Sequence, residues 1–151
     1  MGGSGHHFSS LNKSKTMPSE TNLQKLLVSM KPELKPGEYV FSTVDPADFK
    51  GVQNASLGWF REPEGITLIL EKNAAITAGL EIAFPSRMIT LTVHSSLEAV
   101  GFLAVITERL AAAGISVNAI SAYYHDHLFV PVEKADHAMA VLHQIMEEAE
   151  G

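Results

Sequence analysis

The sequence predicts an α+β fold: a ferredoxin-like βαββαβ arrangement with antiparallel sheets and helices on one face, built as two interleaved units. Three observations predict it. From Met88 onward the hydrophobic spacing reads strand, helix, strand, strand, helix, the first five of the six elements of a split βαβ unit. The whole chain offers about seven strands and four helices, close to the eight and four of two such units. The closing strand of the second unit is missing after its last helix, which would leave an open sheet edge. Tyr39–Val44 or residues 80–84 of the first half are the expected donors of that strand.

Each element has a local reason. Leu23, Leu26, Leu27 and Met30 form one helical stripe over residues 22–30, with Ser19 or Thr21 as the cap. Pro32, Pro36 and Gly37 end it. Tyr39–Val44 is β-rich and closes at Asp45-Pro46, and residues 47–55 read as a loop. Residues 56–61 and Gly65–Glu71 form a hairpin across Glu62-Pro63-Glu64-Gly65. Leu68 and Leu70 share one face of the second strand, and Thr67, Ile69 and Glu71 the other. Asn73 caps a short helix over 74–78 and Gly79 stops it; a strand over 80–84 is broken by Pro85.

In the second half, Ile89, Leu91 and Val93 alternate with Thr90, Thr92 and His94 over a strand at 88–94. Ser95 and Ser96 are both able to cap a helix carrying Leu97, Val100, Leu103, Ile106 and Leu110 on one stripe, with Gly114 as its stop. Residues 116–124 read as a strand, His125-Asp126 as a turn and 127–132 as the returning strand. Glu133 or Asp136 opens a last helix with Ala135, Ala138, Leu142, Ile145 and Ala149 inward.

Composition narrows the function. Of the 151 residues, 46% are hydrophobic and 19% charged, a balance that supports a packed core. The net charge of -6 and the scattered Lys and Arg oppose nucleic-acid or anionic-membrane partners. The absence of Cys excludes disulfides, thiolate chemistry and Cys-ligated metals. No apolar run reaches the ~20 residues of a membrane helix and no signal-peptide pattern opens the chain, so cytoplasm is the expected location. Residues 1–17 are expected to be a disordered leader or tag, His6-His7 included, with Met17 a candidate start. Gly-x-Ser-x-Gly, Walker and His-Glu-x-x-His motifs are missing, so no enzyme activity and no cofactor are expected.

Two runs in the second half resemble the ACT domain, a small regulatory module of amino-acid metabolism. Leu97-Glu98-Ala99-Val100-Gly101-Phe102-Leu103-Ala104 resembles its loop-to-helix signature, with Val100 where many members have Pro. Gly114-Ile115-Ser116-Val117-Asn118-Ala119-Ile120 is similar to its approach to the second strand. Tyr124-His125-Asp126-His127-Leu128-Phe129-Val130-Pro131, Tyr39–Val44 and Glu64-Gly65-Ile66-Thr67-Leu68 together resemble uncharacterised proteins with tandem, aspartokinase-type ACT-like domains. The implied division is an N-terminal ACT-like half over 18–84 and a C-terminal ACT domain over 85–151.

The resemblance implies a regulatory protein that binds a small molecule, with an amino acid expected, between associating ACT units. With no catalytic domain alongside, regulation would act on a separate protein. A homodimer is the expected assembly. The expected ligand residues are Ser95, Ser96, Leu97, Glu98, Ala99, Val100 and Gly101 at the helix start, with Ser116, Val117, Asn118 and Ala119 on the neighbouring strand. Unpaired helix-start N–H groups suit a carboxylate, Glu98 an amino group, and the Asn118 amide offers both donor and acceptor. The plainer alternative makes a serine the cap and Gly101 an allowance for tight packing. Two other functions compete: a ligand-free oligomerisation or interaction scaffold, and a metal site at His125 and His127, where turn-holding and cross-hairpin bonds are the expected structural roles.

Overall fold

The computed structural model describes residues 22–94 and 96–151. Helix α1 (Leu23–Val28) leads into β1 (Pro32–Leu34) and β2 (Tyr39–Val44). Two 3₁₀ turns, Pro46–Gly51 and Gln53–Ala55, precede the hairpin of β3 (Ser56–Glu62) and β4 (Gly65–Glu71). Then come α2 (Lys72–Thr77), β5 (Ala83–Leu91), α3 (Phe102–Ala112), β6 (Asn118–Ser121), β7 (Asp126–Pro131), a 3₁₀ turn at Val132–Lys134 and α4 (Ala135–Glu150). The strands make one antiparallel seven-stranded sheet, ordered β3-β4-β2-β5-β7-β6, with β1 also paired to β5.

Strand β5 joins the two lobes. One edge pairs with β7 from Ser86↔Pro131 to Leu91↔Asp126. The other edge is shared: β1 takes Ile89 to Leu91, and β2 takes Ala83 and Ser86. The closing strand of the second unit is therefore Pro32–Leu34, a three-residue strand that the flanking prolines disguise as a breaker. Pro32 stands at its first position, where a missing N–H costs the ladder least. The expected strand at 80–84 and the break at Pro85 are likewise corrected. Between Tyr39↔Ser86 and Phe41↔Ala83, β5 carries one more residue than β2. This bulge absorbs both Pro85 and the left-handed Phe84, φ 52°.

The sheet has two differently covered faces. On one, α1, α3 and α4 cover Ile89, Leu91, Leu128 and Val130 around Leu26, Met30, Ile106, Leu110 and Leu142, while α2 and the 3₁₀ turns cover Val40, Leu68 and Leu70. The helices do lie on one face, as an α+β ferredoxin-like sheet requires. Among the described residues the other face has no helix. There Ile69, Met88 and Phe129 are buried against Tyr39, Phe41, Phe84 and Ile120, closed by the curl of the sheet itself.

A candidate ligand recess at the start of helix α3

Helix α3 begins at Phe102, five residues later than the stripe from Leu97 implies. Leu97 and Val100 keep the helical phase yet are 66% and 84% exposed. Gly101 sets the boundary: its φ of +87° is a left-handed conformation that strains any residue with a Cβ. A Cβ there would stand 3.7 Å from Leu23 Cδ2, an ordinary contact, so conformation and not crowding demands the glycine. Residues 96–101 are a loop. Its hydroxyl Ser96 Oγ accepts the Glu98 N–H at 3.0 Å, a local turn and not a cap of α3. Ser95 lies outside the described residues.

Among the described residues no side chain caps α3, whose first-turn N–H groups lie beyond the reach of the helix's own carbonyls. They open onto a recess of about 140 Å³ lined by Ser96, Leu97, Ala99, Gly101 and Phe102 to Ala104 on one side. Ser121, Ala122 and Asp126 form the opposite wall. Register explains that wall. Asp126 pairs with Leu91 on β5 and with Ser121 on β6, at the sheet end from which the loop departs. Asp126 is 5% exposed, and Ser121 Oγ donates to its Oδ1 at 2.7 Å.

The structure thus gathers Ser96, Leu97, Ala99 and Gly101 of the expected residues. Glu98 and Val100 point elsewhere: both are exposed and neither lines the recess. Ser116, Val117, Asn118 and Ala119 do not line it either; they precede or open β6, and the recess takes the far end of that strand. The opposite wall, Ser121, Ala122 and Asp126, lies outside the sequence-predicted ligand residues, and Asp126 is its charged member. Asp126 begins β7 and is no part of a turn, and it shares the inward phase of Leu128 and Val130.

His125 and His127 have structural contacts. His125 Nδ1 lies 3.3 Å from Val93 O, and His127 Nδ1 2.9 Å from Thr90 Oγ1 across the β5–β7 pair. Among the described residues, no three His, Cys, Asp or Glu side chains gather as a metal site. The His127 imidazolium is disfavoured first by burial and then by the neighbouring His125, with Asp126 pulling the other way and Lys35 adding repulsion. Its folded pKa therefore lies below the ordinary 6.5. As pH falls, the unfolded chain takes up this proton first. The stability that His127 contributes is present above pH 6.5 and is lost as pH falls from there through the folded pKa. Urea midpoints should drop between pH 7 and pH 5 more for the wild type than for His127→Gln; parallel profiles would exclude this linkage.

Two comparisons place the chain among known proteins. ACT domain models match residues 18–87 and 83–144. A crystal structure of a protein of unknown function from Vibrio cholerae, described as a possible transport protein, is 48% identical, with a TM-score of 0.73 over 82% of this chain and 95% of that one. The ligand-free regulatory subunit of aspartate kinase from Thermus thermophilus shares the fold at 12% identity, with a TM-score of 0.59 over 78% of this chain and 97% of that one. Aspartokinase III from E. coli, solved with aspartate and ADP, shares it at 12% identity and a TM-score of 0.59, over 79% of this chain and 34% of that one. No functionally curated protein matches. Among the described residues no helix is long and apolar enough to cross a membrane. With both halves matched in sequence and more than three quarters of the chain matched in structure, the chain belongs to the ACT domain family and carries two such domains in tandem.

Proposed function

We propose that this chain is a regulatory module, not an enzyme, that binds an amino acid in the recess at the start of α3 and acts in the cytoplasm on a separate protein. The observation that carries this reading is the pairing of opposite polarities across one small cavity. Helix-start N–H groups suit an α-carboxylate, and the buried Asp126 carboxylate lining the same recess suits an α-ammonium group. A recess of about 140 Å³ favours a small or medium side chain. The reading extends to a homodimer in which β6, an edge strand, and the loop that leads into α3 meet a second copy. Ser116, Val117, Asn118 and Ala119 then belong to that interface and not to the ligand's first contacts.

A second reading, the ligand-free scaffold, draws on the rim. Leu97, Val100, Tyr123 and Tyr124 are large, apolar or aromatic, and exposed beside the recess. Thermal melts against the twenty amino acids at millimolar concentration separate the two, because a ligand at a hundred times its Kd adds ~2.7 kcal/mol of stability. At least one amino acid is expected to raise the midpoint. Asp126→Asn, which keeps an acceptor for Ser121, should weaken that amino acid by about 10- to 100-fold, the worth of a hydrogen bond to a charged group. No response to any amino acid would leave the scaffold. An undiminished response in Asp126→Asn would move the site away from this recess.

A further inference from the structure

The helix-free face of the sheet holds a second cavity, of about 280 Å³. It exists because the curl carries the two end strands of the sheet toward each other. Leu57 and Gly58 of β3 border it on one side and Ile120 of β6 on the other. Ile69, Met88 and Phe129 form its floor. Behind the floor, Tyr39 and Phe41 meet the Phe129 ring edge-on, with centroids at 6.0 and 5.6 Å. Among the described residues the lining carries one polar side chain, His127.

We propose that this cavity is a binding site for a small neutral ring compound carrying one hydrogen-bonding group, of the indole or phenol class. Size comes first: an apolar cavity of about 150 Å³ is already enough to take up benzene. The walls then disfavour ions, because among the described residues the lining neither replaces a charged group's hydration nor supplies a counter-charge. The imidazole sets the polar requirement. Nδ1 of His127 is engaged by the hydroxyl of Thr90, a residue 4% exposed. A neutral imidazole keeps Nε2 as a donor or acceptor according to its tautomer, and one ligand hydroxyl or N–H satisfies it. Burial and His125 disfavour protonation of that ring, against the pull of Asp126. The site is separate from the amino-acid recess and does not depend on it. The two lie on opposite sides of the β6–β7 hairpin, with Ala122 bordering both.

Gly58 offers a clean way to close the cavity. It pairs with Ile69, so a side chain there would point to the cavity face, and a Cβ would meet nothing within 4 Å. Its φ lies outside the left-handed region, so a larger residue adds no backbone strain. Ile120→Trp fills the same space from β6. The test uses the full chain with methyl-labelled methionine, following the Met88 resonance, assigned by Met88→Leu, during titration with indole and with phenol. A saturable shift at millimolar probe is expected in the wild type and its loss in both Gly58→Leu and Ile120→Trp; Gly58→Leu, on β3 and away from both the recess and β6, keeps the wild-type response to amino acids. No saturable shift with either probe overturns the proposal, and so does a shift that survives both fillings. A Met88 signal that follows protein concentration and ignores the probes also overturns it, assigning the cavity to a second copy of the chain.

Discussion

Phe129→Ala is expected to cost about 3–5 kcal/mol and to uncouple the two lobes of the sheet. Phe129 is 1% exposed and stands on β7, in the second lobe. Its ring contacts are Tyr39 and Phe41 on β2, whose far edge carries β4 and β3. Truncation removes the buried ring and two edge-on aromatic contacts worth about 0.5–1.5 kcal/mol each. It also enlarges a cavity that already lies beside it, so the surroundings have little reason to collapse inward. The midpoint of thermal unfolding should fall by ~10 °C for a chain of this size. Trp59, the only tryptophan, packs on Phe49 in the first lobe, whereas α1, α3 and α4 dominate far-UV dichroism from the second. The two signals should melt together in the wild type and separate in Phe129→Ala. Coincident melts with a small shift would show that the pairing of β2 with β5 alone holds the lobes together.

What could be read from residue order follows from what is local. Ile89 and Leu91 alternate, Ile106 and Leu110 repeat at helical spacing, and so do Ala135, Ala138, Leu142 and Ile145 of α4; each packs as its phase predicts, while Ala149 at the helix end stays outside the core. The tandem ACT architecture was legible because its signature runs lie in contiguous segments. Elements decided by distant partners were not. Strand β1 is three residues long and exists because β5 offers Ile89 to Leu91 an unfilled edge. The start of α3 was obscured because Leu97 and Val100 continue an apolar stripe through residues that the left-handed Gly101 cuts off from the helix. At the recess, the loop wall was visible as a sequence motif, while the opposite wall depends on the register that sets Asp126 beside Ser121 and Leu91. A hairpin register shifted by one residue would have turned Asp126 away and brought His127 to the same place. Periodicity alone does not choose between them.

A chain that begins at Gly37 is expected to lose the cooperative fold of the second ACT domain, although every residue of β5 to α4 remains. Leu26 and Met30 are fully buried in the cluster that holds Ile106, Leu128 and Leu142. Deleting a buried Leu or Met side chain alone costs about 2–5 kcal/mol, and two together approach the ~5–15 kcal/mol that holds a domain folded. Backbone pairing goes as well: Lys35 N–H donates to Met88 O at 2.9 Å, and the carbonyls of Lys31 and Met30 accept from Thr92 and Val93. The Arg87 guanidinium loses the Lys35 carbonyl, and the edge of β5 is left bare at Ile89 to Leu91. The shortened chain should show dispersed amide resonances only from the first lobe, if at all, and a broad thermal transition in place of a sharp one. Leu26→Ala, by contrast, should stay folded with ~2–5 kcal/mol less stability. A sharp transition at the wild-type midpoint in the shortened chain would mean that the second domain stands alone. The consequence reaches the recess, because Leu23 of α1 lies against Gly101, the residue that turns the loop into α3. A segment belonging to the first half therefore braces the helix start at which the second half is proposed to hold its ligand, and the two domains are one unit of stability and of binding.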